Sequence, residues 1–179
     1  MTERELIEGC IKQRYDCQKL LYQRFSGKMI SLCLRYTNQQ QEAEDVFQEG
    51  FIKVFEYLHQ FKFEGSFEGW LRRIFVTVAI RYVSKRKIFF EDVADASSHI
   101  NAVEPSILAK ISEEEIHQLI RKLPDGYRTI FNLNIIEGYT HDEIANMLGI
   151  QATTSRGQLL KARKCLQQLI LNKKTIEIL

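Results

Sequence analysis

Proline occurs at only two of 179 positions, Pro105 and Pro124, and glycine at nine. Leu, Ile, Lys, Arg, Gln and Glu are plentiful instead, a balance that favours helices over strands. No apolar stretch approaches the roughly 20 residues that span a bilayer, and no apolar export segment follows Met1. The expectation is a soluble, cytoplasmic protein without direct membrane insertion. Hydrophobic residues make up 45% of the chain, enough for real cores in one or two domains.

Cysteine and histidine are equally uninformative as chemistry. Cys10, Cys17, Cys33 and Cys165 form no C-x-x-C pair and have no histidine at metal-binding spacing. Cys10 and Cys17, seven apart, would share one face of a continuous helix. Reduced thiols packed as small hydrophobes are expected rather than a disulfide or a zinc site. His59, His99, His117 and His141 are scattered, and none joins a Ser/His/Asp or Cys/His pattern. No catalytic residue, metal or cofactor is expected, and no enzyme.

Charge is spread unevenly. Residues 1–90 hold fifteen Lys/Arg against eleven acids, residues 91–115 one base against seven acids, and residues 116–179 nine bases against five acids. Two basic modules joined by an acidic segment suit a polyanionic partner. The joining stretch mixes Ala, Ser and Asn with acids, contains Pro105, and lacks a helical stripe in its first half. The expected organisation is a module over 1–90, an extended linker over 91–111, and a second module over 112–179. Ser112 with Glu115 is a capping box at which helix resumes, running to Leu123.

In the first module, Thr2 and Glu5 form a capping box for a short helix ending near Lys12. A longer helical region carries Leu20 to Tyr36, with an interruption expected near Ser26-Gly27. Asn38 is then expected to cap a helix over 39–61. Its buried stripe would be Ala43, Val46, Phe47, Phe51, Val54, Phe55 and Leu58. Asp45, Gln48, Glu49, Ile52, Lys53 and Glu56 fall outside or beside that stripe. A loop bracketed by Gly65 and Gly69 follows, and Phe61, Phe63, Phe67 and Trp70 are too close in sequence all to enter one core.

Residues 69–87, GWLRRIFVTVAIRYVSKRK, carry six Lys/Arg and no acid. Leu71, Ile74, Val78 and Tyr82 make an apolar stripe, while Arg73, Thr77, Arg81 and Lys85 succeed one another at i, i+4 on another face. Arg72, Arg86 and Lys87 widen the basic side. Aromatics beside a cationic track offer stacking surfaces for bases and charges for phosphates, the requirements of single-stranded nucleic acid.

The second module divides into three helices. Pro124 opens one that runs to about Glu137, where Gly138 stops it. Thr140 and Glu143 box the short helix HDEIANML, and Gly149 stands where a left-handed turn residue is needed. A last helix from about Ala152 to Leu171 turns Leu159, Ala162, Leu166 and Leu169 inward. Short helix, tight glycine turn and polar-headed helix make a helix-turn-helix, whose second helix enters the major groove N-terminus first. Thr153, Thr154, Ser155, Arg156 and Gln158 would meet bases or phosphates, with Lys161, Arg163 and Lys164 as cations.

The order AEDVFQEGFIKVF, SFEGWLRRIFVTVAIRY, LP-x-x-x-R and a helix-turn-helix closing in KARKCL resembles bacterial sigma factors of the sigma-70 family. More narrowly it is similar to the compact extracytoplasmic-function (ECF) branch. The resemblance covers about residues 20–170. It implies an all-α protein of two small helical domains, regions 2 and 4, joined by a flexible acidic linker that passes through polymerase near its active site. It further implies a non-catalytic subunit that directs RNA polymerase core enzyme to promoters and helps open the DNA.

By that resemblance Asp45, Gln48, Glu49 and Lys53 dock on the clamp of the largest polymerase subunit, and the flap region is a further contact. Lys62, Phe63, Ser66, Phe67, Trp70, Arg72, Arg73, Arg81 and Lys85 meet the melted minus-ten element. Thr153, Thr154, Ser155, Arg156, Gln158, Lys161 and Arg163 meet the minus-thirty-five duplex. An anti-sigma factor, in some members membrane-anchored, is a further partner that the branch implies. One departure stands out: QATTS (151–155) replaces the common S-x-G-T-V entrance, with Gln151 at the expected cap and Thr153 in place of glycine. Two rival readings are a stand-alone helix-turn-helix regulator of duplex DNA and a helical adaptor working through protein contacts. The first leaves the aromatic loop and the D-x-x-Q-E helix without work; the second explains neither basic block.

Overall fold

The computed structural model describes residues 1–85 and 112–177; the expectations for Arg86, Lys87 and the 91–111 linker lie outside the described residues. The chain divides into two compact units, Met1–Val83 and Ser84–Leu179. Both are helical, with no strand among the described residues.

In the first unit, α1 (Glu3–Ile11) starts at the expected box. Glu5 N–H donates to Thr2 Oγ1 at 3.2 Å, and Thr2 N–H donates to the Glu5 carboxylate at 2.7 Å. The chain reverses through Gln13, at φ 57°, into α2 (Tyr15–Tyr36). Gly9 lets the two helices close up, since a Cβ there would run into the Cys17 sulfur. Cys10 and Cys17 are therefore buried on two helices that meet at a turn, not on one continuous helix.

No break occurs in α2 at Ser26-Gly27. Phe25 and Met29 on either side are buried together with Leu21, Leu32 and Cys33. Their burial outweighs the ~1 kcal/mol that glycine costs a helix.

The third helix, α3 (Gln40–Tyr57), is shorter than expected and continues into one tighter turn, Leu58–Gln60. Its cap is Gln39 rather than Asn38, and the Glu42 carboxylate accepts from both their N–H groups at 3.0 and 3.2 Å. The buried stripe matches expectation except that Phe55 is half-buried, and Gly50 joins it. A Cβ on Gly50 would strike the Phe75 ring, so this glycine sets how near α3 and α4 approach.

Helix α4 (Phe67–Lys85) begins earlier than the glycine bracket suggested. Ser66 Oγ accepts from Gly69 N–H at 3.3 Å, which puts Gly69 in the first turn rather than at a loop end. Leu71, Phe75, Val76, Val78, Ala79, Ile80 and Val83 are buried, whereas the expected stripe members Ile74 and Tyr82 are only half-buried. The apolar side is thus rotated toward Phe75 and Ala79. Phe75 sits against Phe47 and Phe51 at ring separations of 6.1 and 5.3 Å.

The second unit opens with α5 (Glu113–Arg121) at the expected Ser112–Glu115 box. Pro124 precedes α6 (Asp125–Phe131), which runs on through a widened turn, Asn132–Ile136, before Gly138 at φ 80° ends it. The arginine of LP-x-x-x-R is buried: Arg128 pairs with Asp125 at 2.7 Å and donates to the Arg121 carbonyl at 3.0 Å. It thereby satisfies carbonyls left over at the end of α5.

Helix α7 (His141–Leu148) has its Thr140–Glu143 box, and Gly149 at φ 67° is the left-handed turn residue. Helix α8 (Ala152–Glu177) follows after Ile150-Gln151. Leu159 and Ala162 are buried with Leu119, Ile120, Leu123, Ile130, Leu133 and Ile144. Leu166 and Leu169 are half-buried, less than the periodicity implied.

Candidate functional site

Three surfaces carry the chemistry. The first is the outer face of α3. Asp45 and Gln48 are exposed, Glu49 is half-buried, and none has a hydrogen-bond or ion-pair partner among the described residues. At 100° per residue these three and Ile52 span a sector of about 100°. Ile52 is 64% exposed, an apolar side chain amid unpaired polar groups. Lys53 does not lie with them. It points about 80° away from Asp45 and 140° from Gln48, and its ammonium meets the Glu56 carboxylate at 2.7 Å. That pairing raises the Lys53 pKa, while burial and the Arg81 charge oppose the rise.

The second surface is the outer side of α4 with the loop before it. Arg73, Thr77, Arg81 and Lys85 are all exposed, as their i, i+4 spacing requires, and Arg72 beside them is half-buried. Thr77 Oγ1 donates to the Arg73 carbonyl at 2.8 Å, which holds this threonine against its own helix. Arg73 and Arg81 have no acidic partner among the described residues.

The four loop aromatics divide by burial. Phe61 and Phe67 are core residues, and Phe67 is only 1% exposed, stacked on Trp70 with centroids 5.7 Å apart. Trp70 is half-buried, while Phe63 is exposed. Phe63 also has φ 60°, a conformation that bulky residues avoid at a cost of order 1–3 kcal/mol. Its ring packs 5.1 Å from Phe61 and lies under the Arg4 guanidinium at 4.9 Å. Lys62 and Ser66 are exposed on either side. Phe63 and Trp70 are the two rings of this group that a ligand can reach.

The third surface is the head of α8. Thr153, Arg156 and Arg163 are exposed and Lys161 is half-buried, whereas Thr154, Ser155 and Gln158 are buried. Arg156 and Arg163 are seven apart and so within about 20° of one direction, with Lys161 about 140° from Arg156. Ser155 has an inward partner: its hydroxyl lies 2.8 Å from His141 Nδ1 at the head of α7. Burial holds the His141 pKa below the usual imidazole range; the charges of Arg156 and Arg163 add to this, and the Asp142 carboxylate opposes it.

Family models match both units: Sigma-70 region 2 over residues 21–88, and Sigma-70 region 4 over residues 113–166. The ECF RNA polymerase sigma-E factor of Escherichia coli (strain K12) is 30% identical, with 95% of each chain covered. The chain belongs to the ECF branch of the sigma-70 family. The RNA polymerase sigma-H factor of Pseudomonas aeruginosa is 29% identical over 93% of this chain and 91% of its own. Among solved structures, the Bartonella quintana sigma factor RpoE, in complex with the anti-sigma factor NepR, aligns with a TM-score of 0.51 at 17% identity. The alignment covers 86% of this chain and 96% of that one. CnrH, in complex with the cytosolic domain of CnrY, aligns at 0.50 and 20% identity, covering 94% and 96%.

In sigma-70 terms, the α3 face and the α4 track both fall within region 2, and the helix-turn-helix falls within region 4. Three features escaped the sequence reading. Lys53 faces α4 instead of joining Asp45, which the 80° offset between positions 45 and 53 already encodes. Arg4, from α1, covers Phe63; no local pattern joins residues so far apart. The His141–Ser155 bond likewise needs the tertiary fold, although its two residues flank the glycine turn. All four cysteines are free, and burial pushes the Cys10 thiol to about 11 and the Cys33 thiol to about 12. Such thiols stay protonated and pack as small apolar groups.

Proposed function

We propose that this sigma factor binds RNA polymerase core through Asp45, Gln48 and Glu49, with Ile52 as the apolar centre of the contact. The observation that carries the reading is the division of the first unit. One helix presents acids and amides without partners, and the next presents Arg73, Thr77, Arg81 and Lys85 along a single exposed track. A stand-alone duplex-binding regulator has no use for the first of these faces. The α4 track, with Lys62, Ser66, Phe63 and Trp70, takes the melted minus-ten element. Cations hold the phosphates and the reachable rings stack on bases. The strained Phe63 backbone keeps one ring at the surface of a loop whose other aromatics are buried.

In the second unit, Thr153, Arg156 and Arg163 read or hold the minus-thirty-five duplex. Thr154, Ser155 and Gln158 are buried and act from behind by setting the helix. The protein works as a cytoplasmic, non-catalytic specificity subunit. An anti-sigma factor is its proposed inhibitor, since the RpoE structure it resembles contains one. Gel filtration of the purified chain with core enzyme tests the first step. A co-eluting one-to-one complex is expected. Separate elution at micromolar concentration, with specific duplex binding by the free chain, would favour the stand-alone regulator.

A further inference from the structure

Two of the residues by which QATTS departs from S-x-G-T-V, Gln151 and Thr153, are hydrogen-bonded to each other. Gln151 stands just before α8: Ser155 N–H donates to its carbonyl at 3.1 Å and closes the first turn. A side chain at such a position can cap the helix, and the short Ser, Thr, Asp and Asn do so best. The Gln151 amide instead accepts from the Thr153 hydroxyl, Oγ1 to Oε1 at 3.3 Å, its one hydrogen bond among the described residues. Thr77 and Thr129 show the usual alternative, each donating to the carbonyl four residues back at 2.8 and 2.7 Å. Gln151 and Thr153 are both exposed, and so is Arg156, which lies about 60° from Thr153 around the helix.

We infer that Gln151, oriented by Thr153, reads one adenine of the upstream duplex. The inference rests on the duplex-reading role proposed for α8 and adds to it a base-reading residue and a positioning residue. Recognition helices enter the major groove N-terminus first, so Gln151 leads. A carboxamide presents a donor beside an acceptor, and adenine is the base whose groove edge matches it, with N7 as acceptor beside the N6 donor. Oε1 has two lone pairs: the Thr153 hydroxyl takes one and leaves the other for adenine N6–H, while Nε2–H donates to N7. Guanine would set its O6 against Oε1, and turning the amide over to avoid this breaks the bond that Thr153 donates. At 3.3 Å that bond is long, so it biases the amide rather than locking it. A phosphate offers acceptors alone and would leave the Oε1 side of the group unused.

The test uses the holoenzyme and a linear duplex pool randomised across the upstream and minus-ten elements, with the transcribed templates sequenced. Wild type should prefer adenine at one upstream position by at least about fivefold, the lower end for a bidentate pair. That position should differ from the one relaxed in Arg156→Ala. Gln151→Ala should flatten it alone, and Gln151→Arg should move the preference there to guanine. Gln151→Ser places a good cap at the helix head, so the same loss in this variant cannot come from unfolding. Thr153→Val, which keeps the shape without the hydroxyl, should narrow the adenine-over-guanine ratio, while Thr153→Ser should keep it. Placing 7-deazaadenine, which lacks the N7 acceptor, at that position should lower transcription by wild type but not by Gln151→Ala. A Gln151→Ala profile identical to wild type would overturn the inference. So would an even loss across all sequences, which would make Gln151 a phosphate contact. An unchanged ratio in Thr153→Val would overturn the positioning role. If wild type shows no upstream base preference at all, the duplex-reading role of α8 itself fails, and the Gln151 assignment falls with it.

Discussion

His141 Nδ1 lies 2.8 Å from Ser155 Oγ, a bond that ties the head of α7 to the first turn of α8. The neutral imidazole is favoured there, because burial comes first and Arg156 and Arg163 add positive charge. The native state therefore binds fewer protons than the unfolded chain once pH falls toward 6.5, the ordinary imidazole value. Stability from this site is complete above that pH and declines below it, as the unfolded chain takes up a proton that the native state resists. Thermal unfolding followed from pH 7.5 to 5.5 should show the second unit's Tm falling more steeply in wild type than in His141→Gln. Equal slopes would show that His141 does not couple to folding.

Arg156 and Arg163 share one direction on α8, while Lys161 points about 140° from Arg156. Arg156, nearer the N-terminus, should read a base; an Arg–guanine pair discriminates by about 1–3 kcal/mol. Arg156→Ala should relax preference at one upstream position, whereas Lys161→Ala should weaken upstream binding almost uniformly across sequences. A promoter library transcribed by each variant measures this. An Arg156→Ala profile identical to wild type would move readout to Thr153.

Asp45 and Glu49 make no hydrogen bond or ion pair among the described residues, so reversing their charge should not disturb the fold. Asp45→Lys with Glu49→Lys should abolish core binding and leave the helical circular dichroism unchanged. A double variant that still displaces wild type from core would show that docking lies elsewhere.

Gly50 faces the Phe75 ring at a separation that leaves no room for a methyl group. In an exposed helix Gly→Ala would gain about 1 kcal/mol. Overpacking costs typically 1–3 kcal/mol, so Gly50→Ala should be net destabilising here. Urea unfolding should show a lower midpoint with the same slope, and Phe75→Leu should recover part of the loss in the double variant. A midpoint at or above wild type would mean that α3 and α4 adjust freely.

Capping boxes were the most legible part of the sequence. Thr2–Glu5, Ser112–Glu115 and Thr140–Glu143 all start helices where the spacing places them, because both partners lie within four residues. Continuity and rotation were less legible. Ser26-Gly27 suggests a break by local propensity, but burial of Phe25 and Met29 carries α2 through it. On α4 so many residues are apolar that periodicity could not choose between Ile74 and Phe75, and the contact with Phe47 and Phe51 decides. At the surfaces, the i, i+4 track of Arg73, Thr77, Arg81 and Lys85 was legible because exposure follows helical spacing. The burial of Thr154 and Gln158 was not, since a polar residue on a polar-headed helix gives no sign of facing inward.

On the proposed function, this chain opens DNA only as part of polymerase. Permanganate reactivity of thymines in a linear duplex promoter, chosen from a randomised pool by transcription with the wild-type holoenzyme, measures that opening directly. Core with the chain should make thymines reactive across the minus-ten element, while core alone and the chain alone should leave them protected by base pairing. Replacing Arg73, Arg81 and Lys85 together by Ala should suppress the signal without loss of core binding. Specific protection of the upstream duplex by the free chain, with no reactive thymines when core is added, would contradict that role.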